Sequence, residues 1–335
     1  MHPKIRNLYV RFSSMVVRAL ALGLVLLWGG LAHAQSVYPD KPIRLLVSFA
    51  VGSGNDVLAR EIAKELTGTL GQPVVVENRL GAGGMIATNA VAQAAPDGYL
   101  LGFGTSSQLV MNVGFYKSLP FNIDKDLTMI ALLAKTNMVL DVSGNGAKTL
   151  AEFVQRAKAE PDTLTYGSGG NGSISHILGE AFAQSAGVKL RHIPYKGGGS
   201  AVMDVAAGRV DMMFDGLNNG AALAAAGKIR LLAISGSKRS PLRPDVPTFE
   251  EAGMKDFEAY TWNAIFGPAN MPPAVLQRLN TAINQAMASA GVKAFVERNA
   301  GEIMPRNTPE QAEAFARSER ARWVPFMKKS NIAEQ

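Results

Sequence analysis

Ser168, Ser173 and His176 are the residues whose types and spacing could support nucleophilic chemistry, and they fall within nine positions of one another. Gly167 precedes them, and Gly169, Gly170, Asn171 and Gly172 lie between the two serines. A serine hydrolase would use the histidine as base, but the chain has no Gly-x-Ser-x-Gly elbow to expose a serine. The glycines suggest different chemistry. Glycine lets the backbone approach a ligand and adopt positive φ, and the first turn of a helix offers unpaired N–H groups with partial positive charge. A loop of this composition running into a helix suits a carboxylate or a phosphate.

The flanking residues supply that context. Leu164 to Tyr166 reads as a strand, and Ser173 opens a helix with apolar Ile174, Ile177, Leu178 and Phe182. The same arrangement occurs earlier. Ile43 to Phe49 is an apolar strand, Ala50, Val51, Gly52, Ser53, Gly54 and Asn55 form a loop, and Val57 to Leu70 has helical spacing. Two such loops suggest one cleft with two jaws.

Other site chemistries are poorly supplied. Apart from His2 and His33 near the N-terminus, the histidines are His176 and His192, 16 residues apart and without a carboxylate at metal-ligand spacing. Val57 stands where a dinucleotide fingerprint needs its third glycine, and there is no phosphate-binding Gly-Lys-Ser/Thr loop. No cofactor or metal is expected. The absence of cysteine excludes disulfides, thiolate sites and a lipid-modified N-terminal cysteine.

Met1 to Ala34 reads as an export signal: Lys4, Arg6, Arg11 and Arg18, an apolar run from Ala19 to Leu31, then Ala32-His33-Ala34 for cleavage after Ala34. Without this leader, 30 basic residues stand against 27 acidic ones, a net +3 that gives no case for nucleic acid. No later stretch has the roughly 20 apolar residues of a membrane helix. A chain of this length usually divides its core between two domains.

Strands alternate with single helices through both halves, implying parallel sheets with right-handed crossovers. Leu127 to Leu133 and Met138 to Val142 are apolar segments flanking polar Lys135-Thr136-Asn137, the expected first crossing between lobes. Glu258 to Phe266, with Trp262, is the expected return, and the helical C-terminal third is expected to pack on the first lobe. Ser106 and Ser107 follow the strand Tyr99 to Phe103, at the end where open α/β sheets place ligands.

Read in order, Tyr38 to Arg44, Phe49 to Asp56, Val76 to Gly84, Pro96 to Tyr99, Gly167 to His176, Tyr195 to Gly198, Gly208 to Asp211 and Val246 to Thr248 together resemble the Bug receptors, the periplasmic solute-binding proteins of tripartite tricarboxylate transporters. The resemblance implies an α/β fold of the two-lobe periplasmic binding protein type (type II, flytrap-like), each lobe a mainly parallel sheet flanked by helices. Residues 35–135 with 262–335 would form one lobe and residues 136–261 the other. It also implies that Phe49 to Asp56 and Gly167 to Ser173 hold a ligand carboxylate through backbone N–H groups and water. The family's usual proline-rich first loop is replaced here by Ala50-Val51-Gly52-Ser53-Gly54-Asn55, which loses three prolines.

The expected ligand-binding set is therefore Phe49, Ala50, Val51, Gly52, Ser53, Asn55, Asp56, Ser106, Ser107, Gly167, Ser168, Gly169, Gly170, Asn171, Gly172, Ser173, His176, Asp215 and Trp262, with Asn137 and Asn218 as further candidates. Asp56 reads first as a residue stabilising its helix start and second as a ligand contact. Trp262 reads as core or as a platform for the ligand. The expected function is capture of a small organic carboxylate, a dicarboxylate or aromatic carboxylate favoured, by a periplasmic monomer that delivers it to membrane transporter subunits. An exported serine hydrolase and a ligand-sensing partner of a signalling protein are the alternatives.

Overall fold

The computed structural model describes residues 38–333; the export signal expected over Met1 to Ala34 lies outside them. Apolar runs form the first strands, Ile43–Val47 (β1), Val74–Asn78 (β2) and Leu100–Thr105 (β3). These three are parallel, with β1 in the middle, and helices Gly54–Leu70 and Met85–Ala92 connect them. A second parallel group contains Thr165–Ser168 (β5), Arg191–Pro194 (β6) and Met212–Gly216 (β7), with β5 between the other two. Helices Ile174–Ala186 and Gly198–Ala206 join them.

The expected crossing at Lys135-Thr136-Asn137 is not a break between two strands. Leu127–Ser143 (β4) is one continuous strand of 17 residues. Up to Asn137 it pairs antiparallel with Tyr260–Pro268 (β9); from Met138 onward it pairs antiparallel with β7 and with Ile229–Ile234 (β8). The polar triplet marks a change of partners, because Lys135 and Thr136 are half-buried where the strand leaves one set of neighbours for the next. Since β9 also pairs with β3, the sheet runs β2-β1-β3-β9-β4-β7-β5-β6, and Gly301–Ile303 (β10) adds to β4. Parallel groups at the two ends are thus joined by antiparallel strands in the middle.

The C-terminal helices Pro273–Met287, Ala290–Arg298 and Pro309–Lys329 pack on the first half, against helix Gly54–Leu70, β4 and the segment Ser107–Phe115. The last helix begins with a capping box in which Thr308 and Gln311 exchange hydrogen bonds. Its Glu319 is buried and accepts from the Tyr260 hydroxyl at 2.8 Å and from the Trp262 indole N–H at 3.1 Å. Trp262 is fully buried with its ring edge-on to Phe315 at 5.3 Å, so it belongs to the core rather than to a ligand platform. Glu319→Ala would leave two donors without their acceptor, and we expect it to cost about 2–4 kcal/mol in urea unfolding. A cost within experimental error would contradict this locking role.

Candidate functional site

Both glycine-rich loops end in a serine that caps the following helix. Ser53 Oγ accepts from the Asp56 N–H and Ser173 Oγ accepts from the His176 N–H, each at 3.3 Å. Both residues, expected as ligand contacts, serve here as caps, which satisfy one orphan donor of each helix.

The first loop is held from behind. Asp56 is 1% exposed. Its Oδ2 accepts from the Gly52 N–H at 2.9 Å and from Arg60 Nε at 3.0 Å; its Oδ1 accepts from Asn78 Nδ2 at 2.7 Å and from an Arg60 Nη at 3.0 Å. Asn78 Nδ2 also donates to the Phe49 carbonyl at 2.9 Å, and the Ala50 carbonyl accepts from the Ser53 N–H at 3.1 Å. The Arg60 hydrogen bond, more than any other contact, holds the Asp56 carboxyl down at about 2. Asp56 braces the loop, and Val51 stands 74% exposed at its tip.

The second loop is tied down by its own side chains. The Gly169 N–H donates to Ser175 Oγ at 3.0 Å, the Gly170 N–H to Ser168 Oγ at 3.1 Å and the Gly172 N–H to His176 Nδ1 at 3.1 Å. Ser173 N–H and Oγ both donate to the Gly170 carbonyl. The N–H groups that the glycines were expected to offer a ligand are therefore consumed within the loop. Gly172 has φ +73° and would drive a Cβ into the Phe115 ring at 2.6 Å, so only glycine fits there. Asn171 is exposed, and Gly167 is buried within β5.

Ser168 is fully buried, with its hydroxyl 2.6 Å from His192 Nε2. His192 stacks on His176 at 3.9 Å between centroids and on Tyr166 at 4.8 Å. Burial holds both imidazoles down at about 4, and for His192 the neighbouring His176 adds to the effect. The pairing of Ser168 or Ser173 with His176 as nucleophile and base does not form. His176 accepts from backbone, Ser173 is a cap, and Ser168 faces His192 out of reach of solvent.

Where the two helices begin, the halves enclose a cavity of about 360 Å³. Gly54 and Asn55 at the start of one helix and Ile174 at the start of the other all line it. Residues in the first turn of a helix have no intrahelical acceptor for their N–H groups, so both helix starts offer donors and positive potential to the same space. The helix starts thus line the cavity, with the glycine-rich loops as their supports.

Of the expected residues, Asn55, Asp215 and Asn218 line this cavity. Asn137 lies elsewhere, donating to Glu302 Oε1 at 2.9 Å. Ser106 is buried with its hydroxyl 2.9 Å from Thr261 Oγ1, and Ser107 begins a wide helical turn through Met111. Their neighbour Thr105 lines the cavity instead. Thr261 and Asn263 replace Trp262 there by strand alternation, and Asn263 Nδ2 donates to Asn55 Oδ1 at 3.0 Å. Period two along β9 was the signal that could have found them. Phe295 and Asn299, from a C-terminal helix and its end, could not be assigned to the site from their local pattern.

Comparison with known proteins follows the same outline. The model of the tripartite tricarboxylate transporter family receptors matches residues 58–332. The protein BugT of Bordetella pertussis is 36% identical over 316 residues, covering 92% of this chain and 96% of BugT. Among solved structures, Rpa4515 of R. palustris with adipate superposes with a TM-score of 0.78 at 31% identity, covering 88% of this chain and 99% of that one. The periplasmic binding protein BugD gives a TM-score of 0.76 at 30% identity, covering 89% of this chain and all of BugD.

Proposed function

Since the chain belongs to the receptor family of the tripartite tricarboxylate transporters, we propose that it captures a small organic carboxylate in the cavity at the two helix starts and hands it to membrane subunits of such a transporter. The observation that carries this reading is the convergence of Gly54, Asn55 and Ile174, the first residues of two helices, on one cavity. Among the described residues no helix is long and apolar enough to cross a membrane. We place the protein in the periplasm, exported by the leader and acting as a monomer. The adipate held by a relative of 31% identity favours an aliphatic dicarboxylate over an aromatic acid as the starting ligand class.

In this reading residues 35–135 with 262–335 move as one lobe and residues 136–261 as the other. The exchange of partners along β4 at Asn137 and Met138 supports that division. Closure would bend β4 and β9, which cross between the lobes.

The test is a thermal-shift screen of Gln35 to Gln335 against small carboxylates with their amides and esters as controls. We expect a concentration-dependent rise in melting temperature, about 2.7 kcal/mol of added stability at a hundredfold excess over Kd, from acids and not from the matching amides. Equal shifts from an acid and its amide would reject carboxylate recognition.

A further inference from the structure

Phe115 and Asn218 each carry a contact from one of the proposed lobes to the other, away from the crossing strands β4 and β9. Phe115 ends the short helix Asn112–Phe115, whose seat in the first lobe is fixed from two sides. Asn112 Nδ2 donates to the Gly83 carbonyl at 3.0 Å, and Gly114 lies so close to Met327 of the last helix that a Cβ there would meet Sδ at 2.8 Å. The half-buried Phe115 ring, edge-on to Tyr116 at 5.2 Å, extends from this seat onto Gly172 of the second lobe. A Cβ on Gly172 would lie within 2.9 Å of three ring carbons, so the ring rests on bare backbone. Gly172 in turn donates to His176 Nδ1 and stands two residues before Ile174 at the cavity.

Asn218 makes the reverse contact, from the second lobe to the first. At the end of helix Ala290–Arg298 the Phe295, Val296 and Glu297 carbonyls accept from the N–H groups of Asn299 and Ala300. The Arg298 carbonyl accepts instead from Asn218 Nδ2. The last carbonyls of a helix have no intrahelical donor, and here the second lobe supplies one of the missing partners. Asn218 lines the cavity beside Phe295 and Asn299, so this contact lies at the cavity wall.

We infer that Phe115 and Asn218 are positioning residues for binding, which hold the lobes together over an occupied cavity through contacts that involve no ligand atom. The inference rests on the receptor reading and its lobe division. Neither contact survives separation of the lobes, so each favours the closed arrangement by its own free energy. A ligand enclosed between the two helix starts binds that arrangement, and its apparent affinity scales with the fraction of the protein that is closed. The scaling factor is the same for every such ligand. The ring contributes more than the amide, because opening returns apolar surface to water whereas the Asn218 amide and the Arg298 carbonyl each regain water as a partner.

The experiment is calorimetric titration of the mature protein, Phe115→Ala, Phe115→Leu and Asn218→Ala with succinate, glutarate, adipate and every further acid found by the thermal-shift screen. We expect Phe115→Ala to weaken every acid that binds the wild type by about tenfold, and Asn218→Ala by about threefold, with the ratios of Kd among the acids unchanged. Phe115→Leu, which keeps apolar contact with Gly172, should recover part of the loss. A ring with a purely structural role would lower the melting temperature and leave Kd as in the wild type. Wild-type affinity in Phe115→Ala would therefore overturn the inference and leave the receptor reading intact. So would losses that differ among the acids, since they would place the side chain on the ligand itself. Asn218 is exposed, so Asn218→Ala carries the same test if Phe115→Ala does not fold, and wild-type affinity there counts equally against the inference. Binding of no acid by the wild type would overturn the receptor reading and this inference with it.

Discussion

Asp56→Ala is expected to abolish measurable carboxylate binding and to destabilise the protein by about 1–3 kcal/mol, the range for leaving buried donors without their acceptor, since the Arg60 side chain is half-exposed and its charge stays solvated. The carboxylate is the acceptor for the Gly52 N–H, Asn78 Nδ2 and both arms of the Arg60 guanidinium. Its loss frees Gly52 and removes one of the two anchors that hold Asn78 against the Phe49 carbonyl. With the loop released, Gly54 and Asn55 no longer stand at a fixed position on the cavity. Asp56→Asn should be milder, because an amide oxygen still accepts from Gly52 although its nitrogen meets donors. The pair separates bracing from charge: calorimetric titration with the acid found by screening should give no binding for Asp56→Ala and weakened binding for Asp56→Asn. Full affinity in Asp56→Ala would remove the loop from the site. Linkage has the matching sign. The folded carboxyl is held at about 2, below its ordinary 3.8, so its contribution is complete above about pH 4 and lost as pH falls toward 2.

The second large effect is loss of stability in mild acid through His176 and His192. Both are held at about 4, below the ordinary 6.5, principally by burial. Above pH 6.5 each is neutral whether the chain is folded or not, and nothing is lost. As pH falls from 6.5 toward 4 the unfolded chain takes up protons that the native state refuses, so stability falls. At about 1.4 kcal/mol per pH unit for each group, the two together should cost about 2–4 kcal/mol between pH 7 and pH 5. The groups facing the pair are the Tyr166 ring with its hydroxyl on Glu180, the Ser168 hydroxyl, and the Gly172 N–H. None supplies a carboxylate to an imidazolium directly. Protonation of His176 Nδ1 would set one N–H against that of Gly172 and open the second loop, so ligand affinity should decline over the same range. His176→Gln retains an acceptor for Gly172 and does not titrate; its urea-unfolding stability should depend less on pH between 7 and 5. An unchanged slope would rule out His176 as the source.

How much of this was legible depended on the range of the cause. The strand, loop and helix at Ile43 to Leu70 and at Leu164 to Ala186 are visible because apolar spacing and serine caps act within one or two turns. The family resemblance, spread over the chain in order, carries the receptor fold, and the superposition on BugD agrees with it. Less legible was what each polar side chain faces. Ser53, Ser173 and His176 look like ligand donors in a glycine-rich string, yet each is satisfied by the loop's own backbone. Which hydroxyl or imidazole is already partnered depends on positive-φ turns at Gly52, Gly170 and Gly172 that the string permits but does not specify.

Trp262 marks the same boundary on a strand. An aromatic residue in a crossing strand can face either side, and alternation says only that Thr261 and Asn263 take the opposite face. Glu319, 57 positions away, decides which face is the core by receiving the indole N–H. Likewise Asp215 reads as a polar end to an apolar strand until Asn219 and Gly216 occupy one oxygen and leave the other without a partner. By itself the sequence determined the alternating strands and helices, the two glycine-rich helix starts, the expected export leader and the family likeness, all set by local spacing or by ordered motifs. The tertiary structure was needed to show that β4 is one strand serving both halves, that the loops brace the helix starts, and that Asp215 is the one acidic or basic residue lining the cavity. Those depend on which distant side chains spend their hydrogen bonds on one another, a choice made when the chain closes.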